Sequence, residues 1–252
     1  MTARPAAIAV RDLRKNYGEK AAVDGLNLTV PQGSFFGFLG PNGAGKSTTI
    51  RMLTGLAPPT SGNIELLGMR MPEQEMEIKR RIGLVPDESL LFDRLTGSEF
   101  LEFVGRMYGL PREQARDRAA GLLELFQLHE HGRKLIAEYS KGMRKRVAMA
   151  AALIHKPELF LMDEPFEGVD AVGARLMKDI LLDLVRHGAT IFLTSHVLEV
   201  VERLCDRVAI IHEGKIIVEG LMAELRSGSE TLEELFVRVV GAERAFERLE
   251  WL

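Results

Sequence analysis

The sequence predicts an α/β protein whose mostly parallel sheet is preceded by a small antiparallel β subdomain and interrupted by an inserted α-helical subdomain. Three observations carry that expectation. A glycine-rich loop, Gly40 to Thr48, lies between an apolar run, Phe35 to Leu39, and a helix-like segment. A second apolar run, Leu159 to Met162, ends in the two carboxylates Asp163 and Glu164. Between them, from Gly97 to about Ala152, the periodicity is helical. At 252 residues and 46% apolar content the chain can bury one sizeable core, or a core with a lobed insertion, and disorder is excluded.

Taken in order, Ala7 to Leu13 and Leu26 to Val30 predict two strands, separated by a turn at Tyr17-Gly18-Glu19-Lys20 and closed by Pro31-Gln32-Gly33. After the glycine-rich loop, Thr48 to Leu53 predicts a helix with Gly55 as its stop, and the turn Pro58 to Gly62 leads into a short strand, Ile64 to Leu67. Ile82 to Val85 reads as a buried strand ending at Pro86-Asp87. The helical lobe repeats apolar side chains at Phe100, Phe103, Val104 and Met107, and again at Leu122, Leu123, Leu125 and Phe126. These residues either close a small core of the lobe or face a partner. Leu159 to Met162 and Thr190 to Thr194 have the unbroken apolar character of parallel strands, with a helix from about Ala171 to Arg186 between them. Val208 to His212 and Lys215 to Val218, joined by Glu213-Gly214, predict a hairpin.

A formal net charge of −3 lacks the basic excess of a dedicated nucleic-acid binder, and no nucleic-acid partner is expected. Lys141, Arg144, Lys145 and Arg146 form a local basic cluster, which a solvated helix face explains equally well. Cys205 stands alone, so no internal disulfide forms, and residues 1–10 lack a charged-then-apolar secretion pattern. A cytoplasmic, reducing location is expected. No apolar run approaches the ~18 to 20 residues of a membrane-spanning helix; the longest is about Val147 to Ile154, so service to a membrane requires another polypeptide to do the spanning.

The loop Gly40-Pro41-Asn42-Gly43-Ala44-Gly45-Lys46-Ser47-Thr48 matches G-x-x-x-x-G-K-[ST], in the strand–loop–helix setting that makes the match specific. Its glycines let backbone N–H groups turn inward around a triphosphate, and the helix start adds partial positive charge. Lys46 reaches the outer phosphates and Ser47 offers a hydroxyl to Mg²⁺. Asp163 and Glu164 follow Lys46 by about 117 positions, at the carboxyl end of a strand, where parallel sheets place ligand sites. Asp163 suits Mg²⁺ or its water, and Glu164 suits orienting or deprotonating an attacking water. An ordinary acidic turn is the competing reading of this pair, and it recedes once the loop is considered with it.

Two more segments narrow the class: Tyr139-Ser140-Lys141-Gly142-Met143, about twenty residues before Asp163, and Thr194-Ser195-His196 after an apolar strand. With these the chain resembles the ATPase subunits of the ATP-binding cassette (ABC) family over residues 5–222, with 223–252 as a short C-terminal helical extension. The resemblance implies a P-loop NTPase (RecA-like) fold, with the helical subdomain at about 88–155. It implies ATP and Mg²⁺ as ligands, and it implies a transporter subunit, on the exporter side, acting peripherally at the cytoplasmic face of the membrane. Its partners would be a separate transmembrane permease subunit and a second ATPase subunit, in a homodimer or heterodimer.

Position by position, Tyr17 matches the aromatic that stacks on adenine, and Asn42, Gly43, Ala44, Gly45, Lys46, Ser47 and Thr48 match the loop that holds the phosphates. Ser140 and Gly142 match the signature that touches the γ-phosphate of ATP held by the other subunit. Asp170 matches a residue communicating between the two sites, and His196 the histidine that senses the γ-phosphate. Asp87 stands where the family usually has a glutamine that serves Mg²⁺ and coupling; it still offers oxygen, but it is shorter and adds negative charge. The signature carries Tyr139, Lys141 and Met143 where leucine, glycine and glutamine are commonest, a form resembling that of exporter subunits with a separate membrane chain. A soluble ABC ATPase acting on a non-transport assembly is the alternative. A nucleotide-binding regulatory subunit with weak hydrolysis is a third reading, kept open by Asp87 and Lys141.

Overall fold

A computed structural model of the chain describes residues 5–87, 91–226 and 231–241. The first residues of the expected helical subdomain (88–90) and much of the expected C-terminal extension lie outside the described residues. The chain opens with a hairpin, β1 (Ala6–Tyr17) and β2 (Lys20–Pro31), then β3 (Phe35–Leu39) and α1 (Lys46–Leu53). It continues with β4 (Ser61–Leu66), β5 (Met69–Met71), α2 (Glu75–Arg81) and β6 (Ile82–Val85). Three main helices form the lobe: α3 (Gly97–Met107), α4 (Arg112–Leu125) and α5 (Lys141–Leu153). The remainder is β7 (Leu159–Asp163), α6 (Ala171–Arg186), β8 (Thr190–Ser195), α7 (Leu198–Leu204), β9 (Arg207–His212), β10 (Lys215–Leu221), α8 (Met222–Leu225) and α9 (Leu232–Val240).

The strands form two sheets. One is antiparallel, in the order β2-β1-β4-β5; the other has the order β10-β9-β3-β8-β7-β6, parallel throughout except for the β9–β10 hairpin. Side-chain alternation along the larger sheet separates two cores. Phe35 and Leu39 of β3, Phe160 and Met162 of β7, and Ile191 and Leu193 of β8 face the core shared with α5, α6 and α7. Phe36, Phe38, Leu159, Leu161 and Phe192 face the opposite way, against the antiparallel sheet and α1. Burial on both faces explains why these strands read as continuous apolar runs.

Some expectations shift. The first hairpin is longer than its apolar alternation, because pairing runs on to Tyr17↔Lys20 through the polar residues Arg14, Lys15 and Asn16. Leu67, expected to end a strand, instead takes a left-handed turn conformation (φ 52°) between β4 and β5. β5, at three residues, and α2, at seven, are too short to show a period; the visible trace of α2 is acidic residues in its first turn and basic ones in its last, which suit the helix dipole. In the lobe, Phe100, Leu123 and Phe126 close the core while Phe103, Met107 and Leu125 are exposed, so the apolar repeats are only partly spent on the core. Among the described residues no helix is long and apolar enough to cross a membrane.

The first lobe helix is started by a reciprocal cap. Thr96 Oγ1 accepts from Glu99 N (3.2 Å), and the Glu99 carboxylate accepts from Thr96 N (2.9 Å). Thr96→Ala is expected to lower stability by about 1 kcal/mol in urea denaturation; an unchanged midpoint would mean that packing alone starts α3.

Candidate functional site

Parallel register brings four chain segments together. Val85 pairs with Met162, Asp163 with Thr194, and Leu39 with Ser195, so the carboxyl ends of β6, β7, β8 and β3 lie side by side. The glycine-rich loop leaves β3, Asp87 follows β6, Glu164 follows β7 and His196 follows β8. Together they enclose a cleft of about 710 Å³, whose outer wall is Tyr17, Lys20 and Ala22 from the first hairpin. That volume is ordinary for a small-molecule site.

The loop is built for an anion. Gly45 precedes α1 with φ 111°, and a β-carbon there would stand 2.5 Å from the carbonyl oxygen of Ala22, so only glycine fits. No side chain caps α1 and no acidic residue occupies its first turn, which leaves the helix-start N–H groups available to an anion. Lys46 is buried, its Nζ donating to Gly40 O (2.7 Å) and Pro41 O (3.3 Å). Burial pushes its ammonium pKa down, against the pull of Glu164, Asp163 and Asp87. Asn42, Gly43, Ser47 and Thr48 line the cleft. Ala44 does not: its side chain packs into the core beneath, its N–H closes on Pro41 O (3.2 Å), and its carbonyl accepts from Gly214 (3.0 Å).

Behind the loop, Asp163 is buried and accepts a hydrogen bond from Thr194 Oγ1. Glu164 adopts a left-handed backbone (φ 46°), uncommon for a residue with a side chain. Its N–H is held by Thr194 O (3.2 Å) and Oγ1 (3.3 Å). Its Oε1 is buried without a hydrogen-bond donor among the described residues, though His196 Nδ1 stands 2.9 Å away at ion-pair distance and Lys46 Nζ 3.9 Å away. Ser195 Oγ accepts from Val197 N (2.9 Å), fixing the turn that presents His196. Tyr17, the last residue of β1, is 49% exposed at the cleft mouth, with Lys15 Nζ 5.1 Å from its ring centroid.

Three expected residues lie elsewhere. Ser140 caps α5, accepting from Met143 N (3.2 Å), and Asp170 caps α6, accepting from Gly173 N (2.9 Å), a bond that holds its carboxyl pKa below the usual range. A β-carbon on Gly142 would meet only ordinary contacts, 3.5 Å from Gly168 O and 3.8 Å from Asp170 Oδ2. The packing of this chain therefore does not by itself demand glycine at position 142. Ser140, Gly142 and Asp170 form a second small constellation outside the cleft.

The basic cluster is only partly a solvated face: Lys141 is exposed, Arg144 and Arg146 are half-buried and Lys145 is buried. Arg144 pairs with Asp93 (2.6 Å), Arg146 donates to Phe126 O (3.1 Å), and Lys141 bonds Glu167 (2.8 Å), which lowers the Glu167 pKa and raises that of Lys141. Lys145 is 3% exposed beneath the cleft. Sequence reasoning assigned no role to Lys145 or to the cleft-lining Glu167. The signal for Lys145 was its spacing: it shares the apolar face of α5 with Ala148, Met149 and Ala152.

A family model described as ABC transporter matches residues 23–167. The chain is 42% identical over 232 residues to the linearmycin resistance ATP-binding protein of Bacillus subtilis, covering 91% of this chain and 75% of that protein. It is 43% identical to the bacitracin transport ATP-binding protein of Bacillus licheniformis, covering 84% of this chain and 69% of that one. Among solved structures, an ATP-binding subunit of an ABC transporter superposes with a TM-score of 0.86 at 30% identity, over 92% of this chain and 99% of that chain. A dimeric ATP-binding cassette in a post-hydrolysis state, bound to ADP and Pi, gives 0.80 at 25% identity over 85% of this chain and 98% of the other.

Hydrogen bonds to charged groups contribute about 1.5–3 kcal/mol. Lys46→Ala is accordingly expected to weaken ATP binding by roughly 10- to 100-fold in calorimetric titration. Unchanged affinity would show that the loop is not the phosphate site.

Proposed function

The chain belongs to the ABC transporter family as an ATP-binding, ATP-hydrolysing subunit, and we propose that it closes head to tail with a second such subunit on two ATP molecules to drive export through a separate membrane-spanning permease. The second subunit is another copy of this chain or a close relative. One observation carries the reading: the cleft holds a phosphate loop and a carboxylate, while Ser140 and Gly142 lie outside it. A small hydroxyl and a bare backbone at a helix start suit an anion, and the Ser140 hydroxyl, which accepts from Met143 N, still has its own proton to donate. In the proposed pair they reach the γ-phosphate on the neighbour, and each site is completed by the other subunit.

Within one site, Tyr17 would stack on the adenine, a contact worth ~1 to 3 kcal/mol, and the loop with Lys46 would hold the phosphates. Glu164 Oε1, buried and without a hydrogen-bond donor among the described residues, with His196 Nδ1 2.9 Å away, would orient the attacking water and take its proton. His196, beside that carboxylate, would face the γ-phosphate. Among the described residues no three His, Cys, Asp or Glu side chains form a cage of their own. That suits Mg²⁺, which keeps waters and is bound by one or two carboxylates plus substrate phosphates. Ser47 and Asp163 would hold it, with Asp87 as a further oxygen donor on the cleft wall. When bound, Mg²⁺ would supply positive charge to offset the negative charge developing on the phosphates.

Between α2 and α3 lies a groove of about 590 Å³ with an apolar floor, Met76, Val104, Met107 and Tyr108, and a basic rim, Lys79 and Arg80. We assign it to a cytoplasmic helix of the permease, which would hold the ATPase pair peripherally on the cytoplasmic face of the membrane.

Glu164→Gln is expected to keep ATP affinity, to accumulate as an ATP-dependent dimer in size-exclusion chromatography, and to lose ~10²-fold or more in turnover. Normal turnover would remove Glu164 from the chemistry. Tagging the chain in its native cells and identifying stoichiometric partners after gentle membrane solubilisation tests the transport reading. A multi-span protein is expected; ribosomal or assembly-factor partners in a purely soluble fraction would overturn it.

A further inference from the structure

Lys145 is the least exposed charged side chain near the cleft, and its surroundings account for all of its hydrogen-bonding capacity. An ammonium has three donors and no acceptor. Lys145 Nζ reaches three carbonyl oxygens, those of Pro86 (3.3 Å), Asp87 and Glu164 (3.2 Å). It thereby joins three elements that are distant in sequence: the helix that begins at Ser140, the segment leaving β6 for the lobe, and the end of β7. The Asp87 carboxylate stands 3.7 Å from the same nitrogen, an ion-pair separation. Burial of the ammonium costs free energy unless its charge is balanced, and Asp87 is the carboxylate at ion-pair distance.

What Lys145 holds at Glu164 is the backbone. A left-handed glutamate persists only when its surroundings over-determine it. Thr194 holds its N–H from one side, and Lys145, together with Glu167 N (3.2 Å), holds its carbonyl from the other. The direction of the carboxylate follows from that backbone.

Resting on the ATPase reading, we propose that Lys145 is a positioning residue for hydrolysis, clamping the Glu164 backbone to the root of the helical lobe, with Asp87 as its obligatory counter-charge. The pair Asp87 and Lys145 is then neutral as a unit, so the aspartate adds no net charge beside a triphosphate. Any displacement of α5 or of the segment after β6 would be carried through one nitrogen to the end of β7.

The test is a double-mutant cycle on the full chain, reading kcat and KM for ATP, affinity for a fluorescent ATP analogue, and melting temperature. Asp87→Gln, at a half-exposed position and retaining an oxygen donor, leaves the Lys145 charge unbalanced. It is expected to lower kcat about tenfold, with KM, analogue affinity and melting temperature nearly unchanged. Adding Lys145→Gln to that variant is expected to restore a substantial part of kcat, whereas Lys145→Gln alone lowers it. The inference is overturned if Asp87→Gln turns over like the parent, or if the double variant is no more active than Asp87→Gln. It is equally overturned if the loss in kcat is matched by loss of analogue affinity and melting temperature, the pattern of a merely structural residue. A parent chain without turnover would instead defeat the ATPase reading itself, so the two failures are distinguishable.

Discussion

The cleft depends on four parallel strands ending level. A one-residue slip between β7 and β8 would turn every side chain of the slipped strand to the opposite face and move its end by about 3.3 Å. The two cores prevent that slip, because Phe160 and Met162 belong with one side of the sheet and Leu159 and Leu161 with the other. Thr194 shows how closely packing and chemistry are joined. It is a fully buried residue of β8, yet its hydroxyl bonds Asp163 and its carbonyl accepts the N–H of Glu164. The register that fills the core also places both carboxylates.

Charge is segregated by strand of origin. Donors for an anion come from the loop after β3, whereas the acids come from the segments after β6 and β7. Two buried cations stand between these sets, Lys46 on loop carbonyls and Lys145 on the carbonyls after β6 and β7. In the proposed reading, a triphosphate entering such a cleft would meet backbone dipoles and Lys46 along its length, and Glu164 and His196 at the place of the reacting water. The arrangement orients the ligand as well as binding it.

Local motifs were legible and junctions were not. The positions of the loop, Asp163 and Glu164 could be read from sequence because each depends on a short segment at a strand end with its own pattern, whereas His196 was singled out only by the family resemblance. β3, β6, β7, β8 and α6 were legible for the related reason that burial on two faces, or one clear apolar stripe, writes itself into composition. Lys145 and Glu167 were missed because their roles arise from contacts across the fold, 58 positions from Lys145 to Asp87 and 26 from Lys141 to Glu167. Ala44 fits the phosphate-loop pattern, yet it serves the core rather than the cleft. The pattern specifies the backbone path and is silent about which side chains face inward. The polar ends of β1 and β2 were hidden because backbone pairing there proceeds without an apolar face.

The division of the site explains how one chemical step can do mechanical work in the proposed pair. If each γ-phosphate touches the loop of one subunit and Ser140 and Gly142 of the other, closure is favoured by ATP and not by ADP. The equilibrium then shifts only by that difference in affinity. For hydrolysis to stay in step with closure, the signature must sense what happens in its own chain's cleft. The Lys141–Glu167 ion pair joins the two regions, but both partners are solvent-exposed, and solvent and salt screen such pairs strongly. Allosteric coupling of useful size is ~1–3 kcal/mol, so that pair alone is too weak. The stronger link is internal: the buried clamp of Lys145 on the Glu164 carbonyl, one helical turn beyond Gly142 along α5. α5 thus carries the exposed Ser140 at its start and Lys145 on the Glu164 carbonyl, so a tilt of that single helix would displace both.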